Sequence, residues 1–257
     1  MTALVCDIDG VVLNDDRVIP GAPEFVARLV AGPMPFLFLT NYPSQTPADL
    51  RNRFLGAGID VPAERFYTSA MATAEFLRDQ SDGERKAFVI GEGALVHALY
   101  ESGFVLSDTD PDFVVLGETN SYNFDMIRKA AQLIRNGARF IATNPDVAGT
   151  AGRPACGALA APIERITGKK PFYVGKPNAI MMRAALRHLK VHSEEAWMLG
   201  DNMETDIIAG IQSGMRTILI LTGVSRTEDL ARYAYRPHHV VSALAEVLPL
   251  LERVAGS

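Results

Sequence analysis

The stretch Leu4-Val5-Cys6-Asp7-Ile8-Asp9-Gly10 joins a short apolar run to two aspartates and a glycine. An apolar run without alternation is typical of a parallel strand that is buried on both faces. In an open parallel sheet, ligands bind at the carboxyl ends of the strands, which is where Asp7 and Asp9 are expected. Side chains two residues apart on an extended segment point to the same side. The stretch therefore predicts a strand that delivers two carboxylates to one site.

Similar apolar runs recur along the chain and alternate with segments of helical period. Helical patterns cover residues 46–56, 123–135 and 178–189. Strands that alternate with helices are typical of an α/β fold with a parallel sheet and right-handed crossovers. The further runs lie at residues 36–39, 88–90, 113–116, 140–142, 173–174, 197–199 and 218–221. We therefore predict an α/β protein with a Rossmann-like parallel sheet.

The composition is that of an ordinary folded protein. Of the 257 residues, 48% are hydrophobic and 21% are charged, which excludes a disordered, collagen-like or coiled-coil chain. The length suits one large domain or two smaller ones. The net charge is -5, and the charges form no long runs of one sign. This distribution argues against a nucleic-acid polymer as partner, and an anionic substrate would need a local basic site.

Cysteine usage and the N-terminal segment indicate the compartment. Cys6 and Cys156 both lie in apolar contexts that are typical of buried thiols. The N-terminal segment has no basic start and too short an apolar stretch for a signal peptide. No run of about 18 apolar residues is present to span a membrane. We therefore expect a cytoplasmic protein without a membrane partner, while nothing in the sequence indicates its oligomeric state.

Polar residues follow three further apolar runs and form a second group of candidates. Taken singly, each has an ordinary structural explanation as a turn hydroxyl, a solvated cation or a helix N-cap. Four strand ends that carry acids, a hydroxyl and a lysine are expected to meet at one edge of the sheet. The candidates are Thr40 and Asn41 after the run at 36–39, Lys176 after 173–174, and Asp201 and Asp206 after 197–199.

Several carboxylates at one sheet edge repel one another strongly in a partly dry site. A hard divalent cation removes this repulsion, and Mg²⁺ prefers oxygen ligands while it keeps positions for water or a substrate phosphate. Lys176 and Thr40 would add an ammonium group and a hydroxyl. These donors suit a phosphoryl group, so the pattern predicts a Mg²⁺ site that handles a phosphate ester.

The motifs Asp7-x-Asp9, Thr40, Lys176 and Gly200-Asp201-x-x-x-Thr205-Asp206, in this order, resemble those of the haloacid dehalogenase superfamily of aspartate-nucleophile phosphatases. Longer stretches, among them Leu39-Thr40-Asn41-Tyr42-Pro43-Ser44-Gln45-Thr46 and Tyr173-Val174-Gly175-Lys176-Pro177, are similar to the NagD-type branch of subclass IIA. This resemblance covers nearly the whole chain. It implies a ribonucleotide monophosphatase, for which UMP is a typical substrate.

The resemblance also implies a role for each matched residue. Asp7 would attack phosphorus and form an aspartyl-phosphate. Asp9 would protonate the leaving oxygen and then accept a proton from the hydrolytic water. The carboxylates of Asp7 and Asp201, with the backbone carbonyl of Asp9, would hold Mg²⁺, and Asp206 would orient these ligands.

The resemblance assigns phosphoryl binding to a different set of residues. Thr40, the backbone N–H of Asn41 and Lys176 would bind the phosphoryl oxygens, which makes Thr40 and Lys176 catalytic as well as substrate-binding residues. Asn144 and Asp146 follow the strand at 140–142 and would reach the leaving group, although an ordinary Asn-Pro turn is an equally simple explanation.

Domain organisation follows from the same resemblance. A type C2 cap, an α/β domain, would be inserted between the motif at Asn41 and the motif at Lys176. A polar segment at 79–84 and a Gly-Lys-Lys-Pro segment at 168–171 are candidate hinges. We therefore expect a hydrolase core at residues 1–80 and 173–257 and an inserted cap at residues 81–172.

The leading hypothesis is a Mg²⁺-dependent phosphatase of nucleoside 5′-monophosphates. The alternative within the family is a broad-specificity sugar-phosphate or aryl-phosphate phosphatase. A dehalogenase is disfavoured because halide departure needs no acid, yet Asp9 is present. A non-catalytic binding protein is the rival from another class, and it would be expected to lack Asp7, Lys176 or Asp201, all of which are present.

Overall fold

The computed structural model describes residues 2–15, 17–149 and 152–255. The strands are β1 (Ala3–Asp7), β2 (Leu13–Asn14), β3 (Arg17–Val18), β4 (Phe36–Thr40), β5 (Phe66–Thr68), β6 (Lys86–Ile90), β7 (Val105–Leu106), β8 (Phe113–Leu116), β9 (Arg139–Ala142), β10 (Phe172–Tyr173), β11 (Ala196–Gly200), β12 (Arg216–Ile220) and β13 (His239–Val241). The α-helices are α1 (Ala22–Ala31), α2 (Pro47–Gly56), α3 (Ser69–Asp79), α4 (Gly93–Glu101), α5 (Phe124–Arg135), α6 (Cys156–Thr167), α7 (Ala179–Leu189), α8 (Ile208–Gln212) and α9 (Val247–Ala255).

By its internal contacts, the chain divides into two compact units. The first unit comprises Met1–Thr40, Pro47–Tyr67 and Met182–Ser257, and the inserted unit comprises Asn41–Thr46 and Thr68–Met181. The inserted unit is wider than the expected cap at 81–172 because α3 packs against α4. At its other end, the N–H groups of Val174 and Gly175 donate to the carbonyls of Ala142 and Thr143.

The first unit is built on a six-stranded sheet in the order β13-β12-β11-β1-β4-β5. Its pairs β1 with β4, β1 with β11, β11 with β12 and β12 with β13 are parallel. Every residue of β1, β4 and β11 is buried. The predicted α/β fold is confirmed, and these three strands are buried along their whole length, as predicted for uninterrupted apolar runs. Strands β6 and β10 are only partly buried.

The inserted unit has its own five-stranded sheet in the order β10-β9-β8-β6-β7. All of its pairs are parallel. Strands β6 and β8 are each followed by a Gly-Glu pair, at 91–92 and 117–118. They are direct neighbours, with Ile90 opposite Leu116. Strand β10, which precedes Lys176, pairs with β9 in this sheet. This differs from the expectation that all four candidate strands end at one edge of one sheet.

Helix ends follow local sequence signals. The Asn123 side chain accepts a hydrogen bond from the N–H of Met126 and caps α5, as expected for Asn before a helix of strong apolar period. Helix α2 ends at Gly56, and Gly58 follows in the left-handed region at φ +79°. Within the part of the chain that the structure describes, no helix combines the length and apolar character needed to cross a membrane.

Candidate active site

Three candidate residues stand at the carboxyl ends of neighbouring strands in the first unit. Asp7 ends β1, Thr40 ends β4, and Asp201 directly follows β11. The register places Asp7 opposite Leu39 on one side, and Cys6 opposite Leu199 on the other. The parallel ladder therefore brings the three strand ends side by side, as the sequence predicts for these residues.

A buried cluster of carboxylates lies at this edge. Asp7, Asp201 and Asp206 each offer a ligand oxygen, and these oxygens lie within 4.8 Å of one another. Their exposed fractions are 8%, 2% and 0%. Three acids this close in a dry site fit a divalent cation, because a hard cation with oxygen ligands offsets their mutual repulsion. Asp206, expected only to orient the ligands, lies within the cluster itself.

Two glycines leave the space that the Asp201 carboxylate occupies. A Cβ built on Gly10 would lie 2.3 Å from Asp201 Oδ2, and one on Gly223 would lie 1.8 Å from the same atom. The N–H of Val224 donates to Asp201 Oδ2 at 2.6 Å. The Thr222 hydroxyl donates to the Gly10 carbonyl at 2.6 Å. The loop 222–225 therefore fixes Asp201. This loop follows a predicted strand, but no motif of the sequence marks it as part of the site.

Gly10→Ala is expected to displace the Asp201 carboxylate and to weaken metal binding by about 10-fold or more. Gly58→Ala is the matched control, because both glycines have a φ near +80° while Gly58 has no atom within 4 Å of the added Cβ. In both variants, an alanine in the left-handed backbone region lowers the free energy of unfolding by roughly 1 kcal/mol. Thermal unfolding measures this shared cost, and a Mg²⁺ titration of activity measures the difference. Equal Mg²⁺ requirements in the two variants would contradict the role of Gly10.

Asp9 lies on the loop after β1 and is partly exposed. Its Oδ1 accepts a hydrogen bond from Arg53 Nη2 at 3.2 Å. Arg53 belongs to α2 and also donates to the Asp15 carbonyl. The guanidinium therefore holds the Asp9 carboxylate and the following loop together. No local pattern of the sequence predicts this pairing, because Arg53 and Asp9 are far apart along the chain.

In the inserted unit, the side chain of Asn41 joins two other candidate residues. Asn41 Oδ1 accepts from the Lys176 N–H at 2.8 Å, and Asn41 Nδ2 donates to the Lys176 carbonyl at 2.9 Å. Asn41 Nδ2 also donates to Asp146 Oδ2 at 3.0 Å. The amide thus pairs with both backbone groups of one residue. This arrangement fixes the backbone at Lys176, whose side chain is buried.

Close packing of Gly175 supports the same arrangement. A Cβ at Gly175 would lie 2.5 Å from the Thr143 carbonyl oxygen and 2.7 Å from Asn41 Oδ1. Any larger residue would therefore separate Asn41 from the segment that carries Lys176. The Gly-Lys pair in the sequence has this packing reason, which only the tertiary contacts reveal.

Asn144 is fully buried and holds the backbone of Asn41. Its Nδ2 donates to the Asn41 carbonyl at 2.9 Å, and its Oδ1 accepts from the Asp146 N–H at 3.1 Å. The Ser69 hydroxyl donates to the same Asn41 carbonyl. Asn144 and Asp146, expected at the leaving group, therefore both bond to Asn41 in the inserted unit.

Glu118 is a further polar residue at this site, and no motif of the sequence singled it out. Glu118 Oε1 lies 3.4 Å from Asn144 Nδ2. Burial and, to a smaller extent, the nearby Asp146 carboxylate raise the pKa of the Glu118 carboxyl to about 7, although the hydrogen bond from the Asn144 amide acts in the opposite direction. Glu118 thus titrates near neutrality beside the residues that hold Asn41.

A parallel α/β sheet with buried aspartates at the carboxyl end of a central strand defines an α/β protein with an acidic site that suits a divalent cation. A haloacid dehalogenase-like hydrolase model matches residues 4–105, and a HAD-hydrolase-like model matches residues 173–247. The chain is 55% identical over 244 residues to the ribonucleotide monophosphatase NagD of Escherichia coli K12, which covers 95% of this chain and 97% of that protein. The chain belongs to the haloacid dehalogenase-like hydrolase family, as its motifs predict.

Two further comparisons agree with this assignment. The chain is 45% identical over 244 residues to dihydroxyacetone phosphatase of Corynebacterium glutamicum, covering 94% of this chain and 88% of that protein. The solved structure of NagD from E. coli K-12 superimposes with a TM-score of 0.92 at 54% identity, over 96% of this chain and 99% of that one. These relatives are phosphatases by name, and the fold extends over nearly the whole of both chains.

Proposed function

We propose that this protein is a Mg²⁺-dependent phosphatase that hydrolyses nucleoside 5′-monophosphates, with UMP as the preferred substrate. The observation that carries the proposal is the buried cluster of Asp7, Asp201 and Asp206 at the end of the central strand. The 55% identity to a ribonucleotide monophosphatase supports the substrate class. In this proposal the net charge of -5 disfavours a nucleic-acid polymer, so the partner is a small phosphomonoester.

Asp7 acts as the nucleophile in the proposed reaction. A bond forms between its carboxylate oxygen and phosphorus while the bond from phosphorus to the leaving oxygen breaks, which yields an aspartyl-phosphate. Asp9 gives its proton to the leaving alkoxide. Water then attacks phosphorus, Asp9 accepts the proton of that water, and inorganic phosphate and the free Asp7 carboxylate are released.

Asp7, Asp201 and the backbone carbonyl of Asp9 would hold Mg²⁺, and Asp206 would orient them from within the same cluster. When bound, the cation supplies positive charge that offsets the carboxylates and the phosphoryl oxygens. Gly10 leaves room for the Asp201 carboxylate. The chain thus provides an oxygen-rich, buried ligand set of the kind that Mg²⁺ accepts.

Thr40, the Asn41 N–H and Lys176 would bind the phosphoryl oxygens. Lys176 and Asn41 are coupled by the two hydrogen bonds between the Asn41 amide and the Lys176 backbone. Asn144 and Asp146 belong to this substrate-binding set because each bonds to Asn41. In phosphoryl transfer, such positioning and charge neutralisation provide most of the rate enhancement.

We further propose a cytoplasmic location, on the ground that both cysteines are buried thiols. Cys6 and Cys156 are buried and form no disulfide, and they lie in different units. Buried free thiols are typical of proteins in reducing compartments. The expected domain division, with a core at 1–80 and 173–257 and a cap at 81–172, likewise stays a proposal.

A substrate comparison tests the proposed function. We expect kcat/KM for UMP to exceed that for dihydroxyacetone phosphate and for p-nitrophenyl phosphate by about tenfold or more, because binding contacts to the nucleoside end add to those with phosphate. The 45% identity to a dihydroxyacetone phosphatase favours the broad sugar-phosphate alternative. Equal or higher kcat/KM for the small esters would support that alternative and reject the nucleotide preference.

Asp9→Asn is expected to reduce activity toward UMP much more than activity toward p-nitrophenyl phosphate. The ribose alkoxide is a poor leaving group and needs a proton, whereas a nitrophenolate leaves without one. The ratio of kcat for the two substrates measures the effect, and Asp7→Asn serves as the comparison because it should reduce both alike. An unchanged ratio in Asp9→Asn would argue against Asp9 as the proton donor.

A further inference from the structure

Asn144 has fewer hydrogens than it has acceptors within reach. Its amide nitrogen carries two hydrogens, yet three oxygens surround it: the Asn41 carbonyl at 2.9 Å, Thr143 Oγ1 at 3.3 Å and Glu118 Oε1 at 3.4 Å. The shortest bond goes to Asn41. The second hydrogen is shared between Thr143 and Glu118, so a change at Glu118 alters how firmly the amide is held.

We propose that Glu118 is a positioning residue for phosphate binding: its carboxyl group orients the Asn144 amide, which in turn fixes the backbone of Asn41 beside Lys176. The inference rests on the proposed function, because it assumes that Asn41 and Lys176 bind a phosphoryl group. Every contact in this chain of interactions lies within the inserted unit. Glu118 itself need not touch the substrate.

The surroundings of Glu118 indicate that its neutral form suits the site better. The negative charge of Asp146 disfavours ionisation of Glu118. Arg153, the Cys156 N–H and the Asn144 amide act in the opposite direction and partly stabilise the ionised carboxylate. Burial raises the pKa of the neighbouring Cys156 thiol to about 11, so that thiol stays neutral near pH 7. Ionised Glu118 therefore adds a second negative charge beside Asp146, which accepts a hydrogen bond from Asn41.

The direction of the pH effect follows from these groups. With a pKa of about 7, Glu118 is mostly neutral at pH 6 and mostly ionised at pH 8. The hydrogen bond at 3.4 Å is long, so ionisation strengthens it little. Repulsion between a partly buried carboxylate and a phosphate dianion weakens only slowly with distance. Phosphate binding is therefore expected to weaken as the pH rises through 7.

Three variants separate the charge of Glu118 from its hydrogen bond. Glu118→Gln keeps an acceptor for Asn144 and removes the charge, and Glu118→Ala removes both. Glu164→Gln is the matched control, since Glu164 is also partly buried in the inserted unit and accepts a hydrogen bond from the Tyr173 hydroxyl at 3.2 Å. The measurements are kcat and KM for p-nitrophenyl phosphate and the inhibition constant of inorganic phosphate, from pH 6 to pH 8.

Comparison with the wild type at each pH cancels the ionisation of the substrate itself. We expect Glu118→Ala to raise KM by about 2- to 10-fold at every pH with kcat little changed, as for loss of a hydrogen bond that aids ground state and transition state alike. Glu118→Gln should match the wild type at pH 6 and show a lower KM than the wild type at pH 8. Glu164→Gln should follow the wild type throughout.

A spectroscopic measurement tests the inference without relying on catalysis. In ¹H–¹⁵N spectra, the side-chain amide of Asn144 should shift with a midpoint near pH 7 in the wild type and in Glu164→Gln, and should not shift in Glu118→Gln. Absence of that shift in the wild type, or the same pH dependence of KM in Glu118→Gln as in the wild type, would overturn the inference. A titrating amide in a protein that hydrolyses no phosphate ester would instead refute the proposed function alone.

Discussion

Asp7→Asn is expected to lower kcat for phosphate-ester hydrolysis by at least about 10⁴-fold while the protein stays folded. The amide has no anionic oxygen to attack phosphorus, and removal of a nucleophile leaves only the residual catalysis of the remaining site. Asn has nearly the shape of Asp and relieves repulsion within the cluster of Asp7, Asp201 and Asp206. The variant should therefore be as stable as the wild type, and thermal unfolding of the purified protein measures this.

Asp60→Asn is the matched control for this substitution. Asp60 lies in the same unit, and its side chain is 77% exposed beside Arg51, where an ion pair contributes little. Its kcat should equal that of the wild type. More than a trace of turnover in folded Asp7→Asn, with contamination excluded by a separately purified batch, would reject Asp7 as the nucleophile.

Removal of divalent metal by EDTA is expected to abolish activity, and added Mg²⁺ is expected to restore it. The buried carboxylates of Asp7, Asp201 and Asp206 repel both one another and an approaching phosphate when no cation offsets them. Ca²⁺ should substitute poorly, because its larger and looser coordination shell does not hold the reacting groups in line. Initial rates in titrations with the two cations measure this difference.

Asp201→Asn tests the same metal site by substitution of a proposed ligand. Loss of one charged ligand should raise the Mg²⁺ concentration needed for half-maximal activity. In the wild type the Val224 N–H donates to Asp201 Oδ2, and the side-chain oxygen of Asn can accept the same hydrogen bond, so the loop stays in place. Asp60→Asn again serves as the control with an unchanged requirement. Full activity after exhaustive chelation, or an unaltered Mg²⁺ requirement in Asp201→Asn, would exclude a metal at this cluster.

Local patterns in the sequence were sufficient for the four central strands of the first unit, β1, β4, β11 and β12, and for the residues at their ends. The apolar runs before Asp7, Thr40 and Asp201 form β1, β4 and β11, because a strand buried on both faces needs apolar residues at every position. Parallel pairing then places consecutive strand ends at one edge. The fold class was predictable for this reason, the family was predictable from the resemblance of its motifs, and the comparisons confirm both.

Other features depend on contacts between residues that are distant in the chain. The strand before Lys176 joins β9 because the backbone of residues 172–175 continues that ladder, and two apolar residues carry no information about which sheet they enter. Arg53 reaches Asp9 from α2, and no local period marks such a pair. The position of Asp206 within the carboxylate cluster likewise depends on the short helical segment Met203–Ile207 that follows β11.

The sequence by itself determined the α/β class, the strand ends and the identity of the acids, hydroxyl and lysine, because these follow from local periodicity and residue chemistry. Only the tertiary structure decided how those groups are held. Gly10 and Gly223 matter because Asp201 fills the space beside them, and Asn41 matters because its amide matches the Lys176 backbone. Burial beside Asp146 raises the pKa of Glu118 to about 7, and burial is a property of packing that no single segment of the chain specifies.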